Sequence, residues 1–267
     1  MVCFPNAKIN LGLNIVSRRP DGYHNLETIF YPIAIKDALE VVPAVEKKGS
    51  FKQSGIPVDG TPEQNLVMKA YSLLKKEFSI PEADIYLRKN IPFGAGLGGG
   101  SADAAFMLKI LNNFAELNLS DEKLENLAAQ IGADCPFFIQ NKPVFATGIG
   151  NIFTPIDLSL KDYCIVLIKP DIHVSTKEAY AMVTPKQASI PLTEIIKTPI
   201  ETWKDTMLND FEASVFPQHP AIKEIKEKLY DFGAIYSSMS GSGSSVFGIF
   251  KEEINLTNEF SGQVFMV

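Results

Sequence analysis

The sequence predicts an α+β fold in two halves, and two kinds of periodicity carry this prediction. Apolar and polar residues alternate over residues 7–15, which is typical of a half-buried strand. Over residues 67–78, by contrast, apolar residues recur at the spacing of one helix face. Segments of both kinds lie on either side of residue 155, so we expect domains at residues 1–155 and 156–267.

The same patterns predict further elements along the chain. The predicted strands after the first cover residues 25–35, 38–43, a segment around residue 50, 84–91, 164–169, 234–238, 245–250 and 263–267. The predicted helices cover residues 67–78, 104–111, 124–131, 176–183, 202–216 and 221–232. Ser120 is placed to cap the third of these helices, and Ser175 and Glu178 have capping-box spacing at the fourth.

Composition excludes several classes of function. The 267 residues carry a net charge of −6 without a Lys/Arg stripe, so nucleic acid is not expected as a partner. No apolar run approaches the ~18 residues that a membrane span needs. The three cysteines are widely spaced, which provides neither a disulfide framework nor a zinc site. The first residues lack the features of a secretory signal, and we therefore expect a cytoplasmic protein.

A glycine-rich loop is the most informative feature of the sequence. Five of the 18 glycines fall within the seven positions from Gly94 to Gly100, and Ser101 follows at a predicted helix start. Glycine allows the backbone to approach a ligand closely, and a helix N-terminus attracts negative charge. The loop therefore predicts a phosphate-binding site. A strand-to-helix connection without a ligand is the alternative, but it needs only one or two glycines.

Two known phosphate-binding patterns do not describe this loop. A Walker A motif has lysine before its Ser/Thr, and Gly100 stands there instead, so the cation must come from elsewhere in the chain. A GxGxxG match begins at Gly94, but Glu116, the acidic residue at the appropriate distance, does not stand at the end of a second predicted strand. A second Gly/Ser run at residues 240–244 fits either a flexible hairpin loop or a wall of the same cleft.

Three motifs together resemble the GHMP kinases, and they occur in that family's order. They are PNAKINL at residues 5–11, PFGAGLGGGSA at residues 92–102 and MSGSGS at residues 239–244. The resemblance implies an N-terminal domain with a left-handed β-α-β crossover, which is an exception to the usual right-handed rule. It also implies a ferredoxin-like C-terminal domain, and ATP as the phosphoryl donor.

Three further segments narrow the resemblance within the family. RPDGYH at residues 19–24, GADCPFF at residues 132–138 and LNDFE at residues 208–212 are similar to the bacterial GHMP kinases that phosphorylate CDP-methylerythritol. The implied reaction is ATP-dependent phosphorylation of the substrate's 2-hydroxyl, in non-mevalonate isoprenoid biosynthesis. Two alternatives remain: a GHMP kinase for mevalonate, homoserine or a sugar, and a non-catalytic ATP-binding regulator. The regulator would be expected to lose Lys8 or Asp134, which are both present.

The resemblance also assigns roles to individual residues. It places Lys8 and Asp134 at the reaction centre. Its nucleotide-binding residues are Pro92, Phe93, Gly94, Ala95, Gly96, Leu97, Gly98, Gly99, Gly100, Ser101 and Ala102, together with Asn65 and Lys89. Its substrate-binding residues are Asn10, Tyr23, His24, Thr176, Tyr180, Gly241 and Ser242. Mg²⁺ is expected with ATP, no protein metal ligand is predicted, and a monomer or a homodimer fits equally.

Each chemical assignment has a plainer alternative. Lys8 could be a solvated strand lysine, and Asp134 could be a turn residue. Tyr23 and His24 could simply cover the end of a hairpin. Asp103 has the position of a helix-capping acid, and we expect that role for it rather than metal binding.

Overall fold

The computed structural model describes residues 1–46, 48–58 and 60–267. Its strands are β1 (Val2–Cys3), β2 (Asn6–Arg18), β3 (His24–Lys36), β4 (Ala38–Pro43), β5 (Phe51–Gly55), β6 (Ala83–Lys89), β7 (Val144–Thr147), β8 (Ile152–Pro155), β9 (Cys164–Lys169), β10 (Tyr236–Met239), β11 (Val246–Phe250) and β12 (Gln263–Met266). Its α-helices are α1 (Leu66–Glu77), α2 (Gly99–Phe114), α3 (Asp121–Ala129), α4 (Phe137–Gln140), α5 (Thr176–Tyr180), α6 (Leu192–Ile195), α7 (Glu212–Gln218) and α8 (Pro220–Asp231). Two 3₁₀ segments cover Pro62–Gln64 and Ile200–Asp205.

Contacts divide the chain into two compact units, and both are discontinuous in sequence. Unit 1 comprises Met1–Ala7, Ala34–Phe93 and Gly98–Lys142. Unit 2 comprises Lys8–Ile33, Gly94–Leu97 and Pro143–Val267. The domain boundary expected between residues 155 and 156 stays a prediction.

Unit 1 is built on a four-stranded sheet with helices on one face. The strand order is β1-β4-β6-β5, with β5 parallel to β6 and the other pairs antiparallel. Leu39 and Val41 of β4 and Ile85 and Leu87 of β6 are buried, and α2 packs on β4 while α1 packs on α2. Every second residue of these strands therefore faces the helices, as a half-covered sheet requires.

Unit 2 contains one four-stranded sheet and most of another. The antiparallel sheet β10-β11-β9-β12 carries α8 against β10 and β11, with α7 packed on α8. Apolar residues of this layer, such as Val166, Ile222 and Val246, form a single buried cluster. The other sheet has the order β2-β3-β7-β8, and the last two strands were not predicted from the sequence.

Most predicted elements are confirmed, including the caps. Ser120 accepts a hydrogen bond from the backbone of Lys123 at the start of α3, and Ser175 and Glu178 form the expected capping box. The predicted fourth helix is shorter than expected, because α5 ends at Tyr180.

The predicted helix over residues 202–216 is wrong. A 3₁₀ segment ends at Asp205, and α7 begins only at Glu212. Between them, Asn209 Oδ1 accepts from Phe211 N, and the backbone pairs with Leu13 of β2. Side-chain and cross-strand bonds therefore take backbone groups that a continuous helix would need.

None of the helices in the described part of the chain combines the length and the apolar character that a membrane crossing requires.

Candidate functional site

The glycine loop has the backbone conformation that its composition predicts. Gly94, Gly96 and Gly98 have φ values of +64°, +77° and +69°, in the region that side chains disfavour. Helix α2 begins directly afterwards at Gly99, with Gly98 as its N-cap residue and no capping side chain. The first N–H groups of a 16-residue helix thus remain available at the end of the loop.

The third sequence motif packs directly on this loop within unit 2. Ser240 Oγ donates to the carbonyl oxygen of Gly96 at 3.0 Å and accepts from the backbone N–H of Asn10 at 3.3 Å. A Cβ atom on Gly96 would lie 1.9 Å from the Ser240 carbonyl oxygen. Gly241 is similarly close to Asn10, because its added Cβ would lie 3.1 Å from Asn10 Oδ1. The run at residues 240–244 is therefore a wall of the glycine loop.

Lys8 brings a buried cation to the same place. Its side chain is 4% exposed, and Nζ donates to Asn10 Oδ1 at 2.6 Å and to the Gly96 carbonyl oxygen at 3.1 Å. The ammonium also lies 4.6 Å from the ring centroid of Phe30. The solvated-lysine alternative is thus excluded. In unit 2 the structure brings together Lys8, Asn10, the first half of the glycine loop and Gly241.

The LNDFE segment at residues 208–212 holds the third motif in place through hydrogen bonds. Asp210 Oδ2 accepts from the backbone N–H of Ile15, which ties the segment to β2. The buried Glu212 carboxylate accepts from Ser238 Oγ at 3.1 Å and from Met239 N at 2.9 Å, immediately before the third motif. These carboxylates orient main-chain segments.

Aromatic residues that were expected around the substrate form a second group in unit 2. The rings of His24 and Tyr180 stack with centroids 4.9 Å apart, and Phe211 contacts Tyr180 edge-on at 4.8 Å. Tyr23 is 63% exposed and lies on the turn that precedes β3. Thr176 is the first residue of α5, the helix that ends at Tyr180.

Asp134 lies in the short turn between α3 and α4 of unit 1. The turn is closed by a hydrogen bond from Cys135 N to the Gly132 carbonyl oxygen at 3.1 Å. Burial raises the pKa of the Cys135 thiol to about 11, although a hydrogen bond with Ser101 acts in the opposite direction. Cys135 is therefore a buried, uncharged neighbour of Asp134.

A cavity of about 440 Å³ lies in unit 1 beside the start of α2. Its lining is Phe51, Gln53, Val58, Gly60, Thr61, Pro62, Gln64, Asn65, Leu66, Lys89, Phe93, Gly100 and Asp103. It combines apolar walls with a few polar groups, as small-molecule sites do. Asn65 caps α1 by accepting from Val67 N at 2.9 Å and donates to Gln53 Oε1 at 3.1 Å.

Three buried ionisable residues form a cluster beside this cavity, and two of them, Lys89 and Asp103, line it. Lys89 pairs with Asp37 and, at 2.6 Å, with Asp103. Asp37 also accepts from the backbone N–H of Ile91 at 2.8 Å. Burial, reinforced by Asp37 and opposed by Lys89, raises the pKa of Asp103 to about 8. The expected capping role of Asp103 is wrong, because α2 has no acidic residue in its first turn and Asp103 is instead paired inside the protein.

No group of three or more His, Cys, Asp or Glu side chains over residues 1–46, 48–58 and 60–267 is arranged to hold a metal ion.

Several residues that build the site were missed in the sequence. Asp37, for example, accepts from the backbone N–H of Ile91 through a single carboxylate oxygen, and no periodic pattern marks such a contact. The cavity segment was partly detectable, since Thr61 and Gln64 form a capping box of recognisable spacing.

Two family models match the chain. The GHMP kinases N terminal domain matches residues 65–142, and the GHMP kinases C terminal domain matches residues 192–258. The first match includes the whole glycine loop, helix α2 and Asp134, and the second includes the LNDFE segment and the third motif.

Named relatives and solved structures agree with these matches. A 4-diphosphocytidyl-2-C-methyl-D-erythritol kinase of Parabacteroides distasonis is 62% identical over 94% of this chain and 92% of its own length. The kinase of the same name from Bacteroides fragilis is 62% identical over 96% and 94%. A crystal structure of 4-(cytidine 5′-diphospho)-2C-methyl-D-erythritol kinase has a TM-score of 0.81 at 34% identity, covering 93% of this chain and 90% of that one.

A more distant structure shares the fold alone. The Methanococcus jannaschii mevalonate kinase has a TM-score of 0.71 at 14% identity, over 100% of this chain and 97% of that one. The two-domain α+β architecture is therefore that of the GHMP fold. The relatives at 62% identity assign the chain to one group of enzymes within that fold. The chain belongs to the GHMP kinase family and, within it, to the 4-diphosphocytidyl-2-C-methyl-D-erythritol kinases.

Proposed function

We propose that this protein transfers the γ-phosphoryl group of ATP to the 2-hydroxyl of CDP-methylerythritol. Support comes from relatives with that activity in their names at 62% identity over nearly the whole chain. The observation that carries the proposal is the buried Lys8 ammonium, 3.1 Å from the Gly96 carbonyl oxygen. The glycine loop has no lysine of its own, and Lys8 supplies a positive charge beside it.

The cavity in unit 1 suits the nucleoside of ATP. Its volume of about 440 Å³ falls within the usual range for small-molecule sites. Phe93 and Leu66 offer apolar surface for a base, and Asn65 offers amide groups for its polar edge. Lys89 contributes to the wall through its pairing with Asp37 and Asp103 rather than as a free cation for phosphate.

The phosphoryl group would be bound by the glycine loop and the start of α2. Phosphoryl transfer asks mainly for positioning and for stabilisation of charge on the transferred group. Lys8 would neutralise that charge, while the N–H groups at Gly98–Ser101 would bind the phosphate oxygens. The acceptor oxygen forms the new bond to phosphorus as the bond to ADP breaks. Asp134 would orient the acceptor hydroxyl and receive its proton.

The aromatic group in unit 2 suits the cytosine of the acceptor. A pyrimidine ring can stack on Tyr23 or Tyr180, and the His24 imidazole can hydrogen-bond its polar edge. The stack of His24 on Tyr180 holds the imidazole in one plane. Thr176, Gly241 and Ser242 would contact the remainder of the substrate.

Mg²⁺ would accompany ATP and reduce repulsion among the phosphate oxygens. No cluster of acidic side chains within the described ranges would compete with the phosphates for the ion. A cytoplasmic location, and a monomer or homodimer, remain our expectations from the sequence.

An acceptor panel with ATP and Mg²⁺ tests the proposal. Purified full-length protein is assayed for ADP release with CDP-methylerythritol, methylerythritol phosphate, mevalonate, homoserine and a sugar. We expect kcat/KM for CDP-methylerythritol to exceed the others by at least ~100-fold, since a site built for polar groups rejects analogues that lack them. Equal turnover of methylerythritol phosphate would contradict the cytosine site, and turnover of mevalonate alone would contradict the substrate assignment.

The position of the new phosphate is a separate readout. Carbon 2 of the acceptor carries a methyl group and no hydrogen, so a phosphate on its oxygen shows no three-bond proton coupling in ³¹P NMR. Phosphate on a primary or secondary hydroxyl shows that coupling. A coupled signal in the product would contradict transfer to the 2-hydroxyl.

A further inference from the structure

A chain of buried hydrogen bonds continues behind Lys8 to a residue that neither the sequence motifs nor the proposed mechanism includes. Asn10 accepts from Lys8 Nζ at 2.6 Å, and its Nδ2 donates to Thr28 Oγ1 at 3.0 Å. Thr28 Oγ1 in turn donates to the carbonyl oxygen of Gly12 at 2.6 Å. Thr28 is fully buried on β3, and all four residues belong to unit 2.

The direction of these bonds is fixed at both ends. A threonine hydroxyl has one proton, and here Thr28 gives it to the Gly12 carbonyl, which can only accept. Towards Asn10 the hydroxyl can therefore act only as an acceptor, so it must face the NH₂ end of the amide. At the other end, the Lys8 ammonium is a donor without acceptor capacity and must face the amide oxygen.

The opposite amide orientation would be unfavourable at both contacts. A flipped Asn10 would direct its NH₂ group at the Lys8 ammonium and its oxygen at a hydroxyl whose proton is already used. Both unfavourable contacts would be buried, where unpaired polar groups are most costly. The Thr28 hydroxyl therefore favours one orientation of the Asn10 amide, and it does so at the end of the amide that faces away from the Lys8 ammonium.

Thr28 is itself held in place by the sheet. It lies opposite Ala146 of β7 in the antiparallel ladder, and its branched side chain has restricted rotation. The Gly12 carbonyl that receives its proton belongs to β2, the strand that also carries Lys8 and Asn10. The hydroxyl therefore connects two strands at a single defined position.

We propose that Thr28 is a positioning residue for phosphoryl transfer. By accepting from Asn10 Nδ2 it keeps the amide oxygen directed at Lys8, and so keeps the ammonium beside the Gly96 carbonyl of the glycine loop. This inference rests on the proposed function, because it requires that Lys8 acts on the transferred phosphate.

The first test is Thr28→Val, which keeps the shape of the side chain and removes the hydroxyl. Leaving the buried Asn10 donor unpaired is expected to lower kcat by about 10- to 100-fold. KM for ATP and for CDP-methylerythritol should change less than about 3-fold, since Thr28 touches neither in this proposal. Thr28→Ser retains the hydroxyl and should recover most of kcat.

Thr198→Val is the matched control. The Thr198 hydroxyl also donates to a main-chain carbonyl, that of Ile195 at 2.7 Å, but it belongs to no part of the proposed site. The same chemical change there is expected to leave kcat within about 2-fold of the wild type.

Repeating the Thr28 substitution in an Asn10→Asp variant distinguishes loss of the amide orientation from a general loss of packing. In Asn10→Asp the side chain has two equivalent oxygens, so no orientation needs to be selected. We expect Thr28→Val to reduce kcat by less than about 3-fold when added to Asn10→Asp, against about 10- to 100-fold in the wild type. If Thr28→Val does not fold, Thr28→Ala is compared in the same two backgrounds.

The outcomes distinguish this inference from the proposed function. A wild-type protein without activity on CDP-methylerythritol contradicts the function. An active wild type with kcat unchanged in Thr28→Val contradicts only the role of Thr28. Equal losses in the wild-type and Asn10→Asp backgrounds would also overturn it, because they would indicate a packing role.

Discussion

The side-chain amide of Asn209 donates to two main-chain carbonyl oxygens of the third motif, those of Met239 at 3.0 Å and Gly241 at 2.9 Å. Its oxygen accepts from the backbone N–H of Phe211 at 3.0 Å. One buried side chain thus fixes the ends of the turn whose Gly241 lies against Asn10. This contact gives a physical reason for asparagine in the LNDFE segment, which was noticed in the sequence only as a resemblance.

Asn209→Ala is expected to destabilise the protein by about 2–4 kcal/mol, because it leaves several buried main-chain groups unpaired. The unfolding midpoint in urea and the melting temperature measure this loss. Asn255→Ala is the matched control, since Asn255 also accepts from the backbone two residues later, at 3.0 Å, but is exposed. Equal stability of the two variants would show that the Asn209 contacts do not hold the turn.

Gly96→Ala tests the close approach between the glycine loop and the third motif. The added Cβ would lie 1.9 Å from the Ser240 carbonyl oxygen, on a residue with φ of +77°. We expect a loss of at least about 2 kcal/mol in unfolding free energy, from strain and displacement together. Gly100→Ala should instead fold normally, since its Cβ would lie 3.5 Å from Leu66. Similar denaturation curves for both variants would contradict this packing.

Lys8→Ala and Asp134→Asn test the two residues assigned to the reaction centre. Each is expected to reduce kcat by at least ~100-fold, the low end for a positioned charged or acid–base group. Lys223→Ala removes an exposed lysine on α8 and serves as the control. Steady-state kinetics with both substrates measure the effect. Turnover within a few-fold of the wild type would remove the substituted residue from the chemistry.

The sequence predicted the elements of this site better than their connections. The alternation over residues 7–15 places Lys8 and Asn10 on one side of a strand, and the glycine spacing predicts the left-handed turns of the loop. Their mutual contacts depend on residues far apart in the chain, such as Ser240 and Thr28. Periodicity separates the two faces of the strand, but β2 is not half-buried as expected, because its polar face is buried as well. Periodicity also carries no information about which distant hydroxyl completes a hydrogen bond.

The wrong predictions have a common physical cause. The segment around Asn209 has helical spacing, yet the Asn209 side chain donates to the carbonyl oxygen of Met239 and its backbone pairs with Leu13 of β2. Asp103 has the position of a capping acid, yet a buried lysine 14 residues earlier pairs with it. In both cases a tertiary hydrogen bond overrides a local preference that is worth less. Strand β7 was missed because four residues give too short a pattern.

Tyr180→Leu tests the aromatic group that we assign to the cytosine. Loss of the ring that stacks on His24 is expected to raise KM for CDP-methylerythritol about 10-fold, equivalent to about 1.4 kcal/mol. KM for ATP should stay within about 2-fold. Tyr86→Leu, on β6 of unit 1, is the control for loss of a half-buried tyrosine. An equal rise in both KM values would indicate general distortion rather than a lost cytosine contact.

The buried cluster of Lys89, Asp37 and Asp103 predicts a pH dependence of stability. One lysine, Lys89, faces two carboxylates, and Asp37 already accepts from Lys89 and from backbone N–H groups. The second carboxylate, Asp103, has an oxygen without a hydrogen-bond partner. A proton on Asp103 makes the cluster neutral, which agrees with a pKa raised to about 8.

Because the pKa of Asp103 is raised on folding from 3.8 to about 8, the folded state holds an extra proton between these values. The contribution of Asp103 to the unfolding free energy is therefore fully present below about pH 4 and is lost as the pH rises through about 8. The loss amounts to at most about 1.4 kcal/mol per pH unit. Asp103→Asn, which mimics the neutral acid, should remove this slope. Urea unfolding at about pH 5, 6, 7 and 8 should show the unfolding free energy of Asp103→Asn rising relative to that of the wild type at each step. Asp37→Asn should instead lower the unfolding free energy at every pH, because it leaves Lys89 poorly paired. Parallel profiles for Asp103→Asn and the wild type would show that Asp103 is ionised across this range.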